Sequence, residues 1–263
     1  MQAPDLKADL ELLVRAALAS GDIAQRHFKS DVQIWDKADN AGPVTAADLE
    51  IDAMLKDQLL SARPSYGWLS EETDDDKNRL DCDCVFIVDP IDGTRAFIEG
   101  RAHWGHSLAI AHKGKVQTAA VYLPVPDLLF TATQDGGAFL GDTRIDVSDR
   151  QDAHGACVLA AKANFQDVYW PGGFPGVKRS FRSSLAYRLC LVGDGAFDGM
   201  LTLRPTWEWD VAAGTLIVEQ AGGTVTTQAG NPVSFNTPNA LLDGIVAANP
   251  MIHTQLIKGL TPA

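Results

Sequence analysis

The sequence predicts an α+β fold, with helices and sheets stacked as a layered sandwich. Segments with apolar residues at helical spacing alternate with short β-branched or apolar runs in both halves of the chain. No apolar run reaches the ~20 residues that cross a bilayer, and no repeat, low-complexity tract or linker breaks the pattern. At 263 residues the chain suits one large domain or two closely packed parts. The expected division is an α+β part, residues 1–141, with most of the acidic motif residues, and an α/β part, residues 142–263, that completes the site.

Taken in order, residues 4–28 space Leu6, Leu10, Leu13, Val14, Ala17 and Leu18 as one face of an amphipathic helix. Residues 31–42 read as a polar connector containing Lys37. Thr45 is placed to cap a second helix, whose Ile51, Leu55 and Leu59 share a face and whose first turn carries Asp48. An acid in that turn also complements the helix dipole. After Pro64, residues 66–69 make a short strand that delivers Glu71 and Glu72 at its end. Residues 85–88 make a buried strand expected to stop at Asp89, because Pro90 cannot donate a ladder hydrogen bond. Residues 107–111, 116–123 and 128–133 read as an antiparallel meander, which the glycine-rich residues 136–141 continue. In the second half, 158–161 is a strand, 171–176 a loop, 184–192 and 210–221 helices, and 244–248 a last buried strand.

The chemistry is densest where the strand at 85–88 ends. Asp89 and Asp92 stand on either side of Pro90 and Ile91, Gly93 permits a close turn, and Thr94 is suited to start a helical turn. Two carboxylates and the Ile91 carbonyl are hard oxygen donors that suit Mg²⁺, and free N–H groups at a helix start suit a phosphate. An acidic surface turn has the same composition, so this segment alone does not decide the matter. Asp210 follows Trp207 and Trp209, whose bulk implies burial. An unpaired carboxylate there is costly, and a cation would satisfy it.

Asp89-Pro90-Ile91-Asp92-Gly93-Thr94 resembles the metal-binding signature of the inositol monophosphatase superfamily of Mg²⁺-dependent, lithium-sensitive phosphatases. Trp68-Leu69-Ser70-Glu71-Glu72-Thr73 resembles its paired-glutamate segment, and Trp209-Asp210-Val211-Ala212-Ala213-Gly214 its second signature. With Lys37 and Thr45-Ala46-Ala47-Asp48, the resemblance covers most of the chain in the expected order. It implies an α/β/α/β/α sandwich and two or three Mg²⁺ ions. Asp89 would bridge two of them, with Glu71 and the Ile91 carbonyl on the first and Asp92 and Asp210 on the second. The catalytic set would be Thr94, supported by Asp48 as a general-base relay, together with Glu71. The N–H groups of Gly93 and Thr94 would hold the phosphate. Glu72 would assist a third ion, and Lys37 would lie near the phosphate. A homodimer and inhibition by lithium are implied as well.

Composition narrows the partners. The net charge of −12 argues against nonspecific nucleic-acid binding. Residues 1–140 hold 23 acidic against 13 basic side chains, so the negative charge is concentrated where most proposed ligands lie. The first ten residues carry acids and no apolar core, so no secretory signal is read there, no membrane partner is expected, and a cytoplasmic location follows. Cys82, Cys84, Cys157 and Cys190 have no zinc-site spacing and are expected to be reduced thiols. The glycines at 193, 195 and 199 miss the dinucleotide-loop spacing, and no phosphate-binding P-loop occurs.

The partner is therefore expected to be a small phosphorylated metabolite. Seven residues before Asp210, where inositol monophosphatases place a glutamate, this chain has Leu203. Ser183-Ser184-Leu185 is closer to the pattern of 3'(2'),5'-bisphosphate nucleotidases, and Lys162, Lys178, Arg179, Arg182 and Arg188 could receive a second phosphate. Ser183, Ser184, Arg182 and Leu203 are thus candidate substrate positions. A nucleotidase-like phosphomonoesterase is the leading expectation and inositol-1-monophosphatase the next. Histidinol-phosphate phosphatase follows, from the resemblance of residues 92–97. A non-catalytic regulatory protein on the same fold is the reading from another class.

Overall fold

The run Val-Phe-Ile-Val at 85–88 sends alternate side chains to opposite faces of its strand, and each face is covered. In the computed structural model, which describes residues 4–37 and 42–260, this strand is the buried β4 (Cys84–Asp92). Val85 and Ile87 join one apolar cluster, Phe86 and Val88 another. Around β4 runs a seven-stranded sheet: β3 (Gly67–Ser70), β4, β5 (Gly105–His112), β6 (Lys115–Leu123), β7 (Leu128–Thr133), β8 (Gly137–Leu140) and β9 (Thr143–Arg144). β3 and β4 are parallel, and every later neighbour is antiparallel. A five-stranded sheet has the order β11 (Lys178–Ser180), β10 (Cys157–Leu159), β12 (Gly199–Trp207), β14 (Leu241–Ala248) and β13 (Thr224–Thr226).

Helices fill the spaces that these sheets leave apolar. α1 (Leu6–His27) and α2 (Ala46–Ala62) bring Leu12, Leu13, Ile51 and Leu55 onto Phe86, Val88, Leu108 and Ile110. α4 (Leu185–Gly193) and α5 (Glu208–Gln220) lie between the sheets, where Leu189, Leu216 and Ile217 meet Ile87 and Val121 on one side and Met200 and Ile245 on the other. α6 (Pro250–Leu260) sets Ile252 and Leu256 on the outer face of the second sheet. The result is the layered α+β sandwich expected. Among the described residues, no helix is long and apolar enough to cross a membrane.

Three local expectations are corrected. β4 does not stop at Asp89; it continues to Asp92, and its pairing with β5 shifts register between those two residues. Pro90 is tolerated because it falls in that irregularity and beyond the last pair with β3, so no ladder bond needs its missing N–H. The polar connector contains a small hairpin, β1 (Ile34–Asp36) against β2 (Pro43–Thr45), whose first strand is wholly exposed and so shows no alternation in sequence. Residues 38–41 of that connector lie outside the described residues. α5 begins at Glu208 rather than Asp210, with Trp207 at the cap. The buried Glu208 accepts hydrogen bonds from the N–H groups of Asn236 and Thr237 and from the Thr237 hydroxyl.

Thr45 caps α2 as expected, and the contact is reciprocal. Its hydroxyl accepts from Asp48 N–H, while the Asp48 carboxylate accepts from Thr45 N–H at 2.8 Å and from the Thr45 hydroxyl. Thr45→Val should cost about 1–2 kcal/mol, read as a lowered melting temperature. An unchanged melt would show that the box contributes nothing.

Candidate metal centre

Three carboxylates from distant segments converge at one end of β4. Glu71 follows β3, Asp89 lies in β4 and Asp210 sits in the first turn of α5. One oxygen from each lies within 4.8 Å of the others. Asp89 is almost fully enclosed, and its Oδ1 has no hydrogen-bond partner. Burial, and then the charges of Glu71, Asp92 and Asp210, push the Asp89 carboxyl well above the usual carboxylate range. Asp210 keeps part of its surface open, yet desolvation and the charges of Asp92 and Glu71 raise it strongly too. An orphaned carboxylate oxygen among convergent acids is a donor set that a divalent oxygen-seeking cation fits.

Asp92 is held apart from this trio. Its Oδ2 accepts from the Ser184 hydroxyl and from Ala186 N–H, each at 2.6 Å, at the start of α4. Burial outweighs these bonds and brings its pKa to about 6. Ser184 therefore does not face a substrate as expected. It is buried, donates to Asp92 and accepts from Tyr187 N–H as the cap of α4. Leu203 is also corrected: it packs with Trp170, Leu201 and Val246 in the apolar cluster under α6. Ser183 is half-buried, and a distal guanidinium nitrogen of Arg188 donates to its carbonyl at 3.5 Å.

Lys37 lies where it neutralises acid. Its ammonium donates to Glu71 at 2.6 Å and to Glu72 at 2.7 Å. Burial, and then the neighbouring Glu71 charge, raise Glu72 to about 8. Glu72 is thus paired with Lys37 rather than gathered with the three convergent acids.

Gly93 adopts a left-handed backbone with φ of 100°, and an added Cβ would stand 3.1 Å from the His103 carbonyl. It turns β4 into the short helix α3 (Thr94–Ile98), with Ala96 and Phe97 N–H donating to the Gly93 carbonyl. The Thr94 hydroxyl donates to the Ile91 carbonyl at 3.1 Å, so in this structure it is not bonded to Asp48. Asp48 Oδ1 is buried without a partner, and burial beyond the Thr45 bonds brings its pKa to about 6.

Beside the acids stand Arg188 and Arg204, and Arg182 adjoins Arg188. Arg188, mostly buried, donates to the Arg182 carbonyl at 2.6 Å and lies over the Phe181 ring. Desolvation lowers its pKa to about 10. Arg182 lies over the Phe197 ring. Arg204, exposed on β12, is close enough to act electrostatically on both Asp210 and Arg188. None of the three pairs with a carboxylate among the described residues. The sequence gives no sign of Arg204, because its place depends on a strand that bulges between Thr202 and Pro205. Lys162 and Lys178 are exposed, and Arg179 donates to the Ala160 carbonyl.

A family model described as the inositol monophosphatase family matches residues 5–262. The inositol-1-monophosphatase of Rhizobium meliloti (strain 1021) is 33% identical over 233 residues, covering 84% of this chain and 86% of that protein. The Nus factor SuhB of Escherichia coli (strain K12) is 32% identical over 95% of each chain. Among solved structures, the IMPase of Thermotoga maritima superposes with a TM-score of 0.83 at 26% identity, covering 96% of each chain. The extragenic suppressor protein suhB of Bartonella henselae does so with 0.80 at 29% identity, covering 97% of this chain and 98% of that one.

Proposed function

The chain belongs to the inositol monophosphatase family, and on that premise we propose that it is a Mg²⁺-dependent phosphatase acting on a small phosphate monoester. The observation that carries this is the convergence of Glu71, Asp89 and Asp210 around an unpartnered Asp89 oxygen. Those three, with Asp92 and the Ile91 carbonyl, are the donors assigned to hold two ions, and Glu72 is kept for a third. When bound, Mg²⁺ supplies a Lewis acid for the phosphoryl oxygens and makes a water acidic enough to lose a proton near neutral pH.

The chain's own residues supply position and a proton path. Backbone N–H groups of Gly93 and Thr94 hold phosphate oxygens at the turn that only glycine makes without strain. In this reading Thr94 Oγ1 receives the proton of the attacking water and passes its own to Asp48, whose Oδ1 is buried without a partner. For that transfer the Thr94 hydroxyl turns from the Ile91 carbonyl towards Asp48, whose pKa of about 6 suits a base near neutrality. Lys37 balances Glu71 and Glu72, and it is assigned to the phosphate once those acids hold metal.

For the substrate, Arg182, Arg188 and Arg204, none of which forms an ion pair with a carboxylate among the described residues, support a molecule with a second anionic group, as in 3'(2'),5'-bisphosphate nucleotides. A phosphate-release panel tests this, with 3'-phosphoadenosine 5'-phosphate, inositol 1-phosphate and histidinol phosphate, each with an EDTA control. The first is expected to be preferred. Arg204→Gln should raise its KM about tenfold, the loss of one charge-assisted contact, and leave the KM for inositol 1-phosphate unchanged. Preference for inositol 1-phosphate, with no effect of Arg204→Gln, would overturn the substrate assignment. A second reading, a binding role on the same fold, is favoured by the likeness to proteins named Nus factor SuhB. It gains if no panel member is hydrolysed while Mg²⁺ still binds.

A further inference from the structure

β5 meets β4 across the break in register that carries the acids. Asp89 faces Ser107 and Asp92 faces Gly105, so Pro90 and Ile91 stand together against the single residue His106. Such a two-against-one bulge leaves a residue outside the ladder and re-aims its neighbours. Here a side chain makes up the lost bond. His106 Nδ1 donates to the Pro90 carbonyl at 2.5 Å, and because a carbonyl only accepts, the proton sits on Nδ1. The ring is fully enclosed between Trp104 and Tyr122, with centroids at 5.8 and 6.4 Å. It has no room to leave.

The next side chain on β5 points to the opposite face. Ser107, also buried, donates to the Trp209 carbonyl at 3.1 Å, one residue before Asp210. Two consecutive residues of one strand thus grip two segments that are far apart in sequence, one from each face of the sheet. One grip holds the bulge between Asp89 and Asp92; the other holds the turn that presents Asp210.

We propose that His106 and Ser107 are positioning residues that set the separation of the Asp89–Asp92 bulge from Asp210, and with it the affinity for a divalent cation. Neither touches a reacting atom. The inference rests on the reading of Glu71, Asp89, Asp92 and Asp210 as cation ligands. Partners that orient metal ligands typically carry 10–100-fold in metal affinity.

The test is Mn²⁺ binding, followed through the electron paramagnetic resonance signal of the free ion, with thermal unfolding in EDTA as a control on the fold. His106→Leu, which keeps bulk but loses the donor, should weaken Mn²⁺ binding about tenfold or more, as should Ser107→Ala. His106→Asn, which places an amide N–H where Nδ1 stood, should restore most of the affinity. Ser107→Ala removes a single oxygen and decides the matter if His106→Leu does not fold. Variants that fold and bind Mn²⁺ as the wild type does would overturn the inference and leave the ligand reading standing. A wild type that binds no Mn²⁺ would overturn both.

Discussion

Asp89→Asn is expected to abolish phosphate release and, with it, the thermal stabilisation by Mg²⁺, while the metal-free protein becomes more stable. Asp89 lies at the centre of the convergent acids and is buried among Glu71, Asp92 and Asp210. Without a cation, Asp89 either carries a charge that water cannot solvate or holds a proton at a cost that grows as pH rises. The amide removes that charge and can donate to a neighbouring carboxylate, which should raise metal-free stability by about 1–3 kcal/mol. The same change removes one of the residues that would hold the cation. Turnover should fall by about 10³-fold or more, equivalent to ~4 kcal/mol of barrier. A destabilised metal-free variant would contradict the electrostatic account. A variant that turns over at the wild-type rate would contradict the metal assignment.

The second large effect is a pH dependence of the metal-free fold opposite to that of a protein held by ion pairs. The buried acids titrate high when folded: Asp92 and Asp48 near pH 6, and Glu72 near 8. Unfolded, they titrate near 4. Between those values the folded chain holds protons that the unfolded chain has released, so stability falls as pH rises. The contribution is complete below about pH 4 and is lost by about pH 8. For Asp92 alone, a rise from 3.8 to about 6 corresponds to ~3 kcal/mol, or roughly 10 °C of melting temperature. Saturating Mg²⁺ should flatten the profile, since a cation then does what the protons did. Thermal melts in EDTA and in Mg²⁺ between pH 5 and 8 check this. A metal-free melting temperature that rises across that range would mean that the acids are not confined together.

The readable parts of the molecule were those that nearby residues dictate. The alternation in β4, the Thr45 cap with Asp48 three residues on, and the glycine that turns the chain at 93 all leave marks within a few positions. What could not be read depends on contacts between remote segments. Ser184 looked like a substrate residue because nothing nearby shows that its hydroxyl reaches Asp92, ninety-two positions earlier. Leu203 and Arg204 are neighbours with opposite fates, one in the core and one exposed, and only the pairing of β12 with β14 decides which. The pairing of the Lys37 ammonium with Glu71 and Glu72 is equally hidden, because its partners stand 34 and 35 positions further along the chain. Pro90 pointed to a strand end; the fold instead put it in a bulge, where a missing N–H costs little.

The most direct measurement is the inorganic phosphate that the EDTA-treated protein releases from 3'-phosphoadenosine 5'-phosphate, inositol 1-phosphate and histidinol phosphate as Mg²⁺ is added back. The expected result is no release without metal and a rate that rises and saturates with Mg²⁺ for at least one of the three, highest for the first. Absence of release from all three at Mg²⁺ concentrations that stabilise the fold would contradict the assignment of this site as a phosphatase centre.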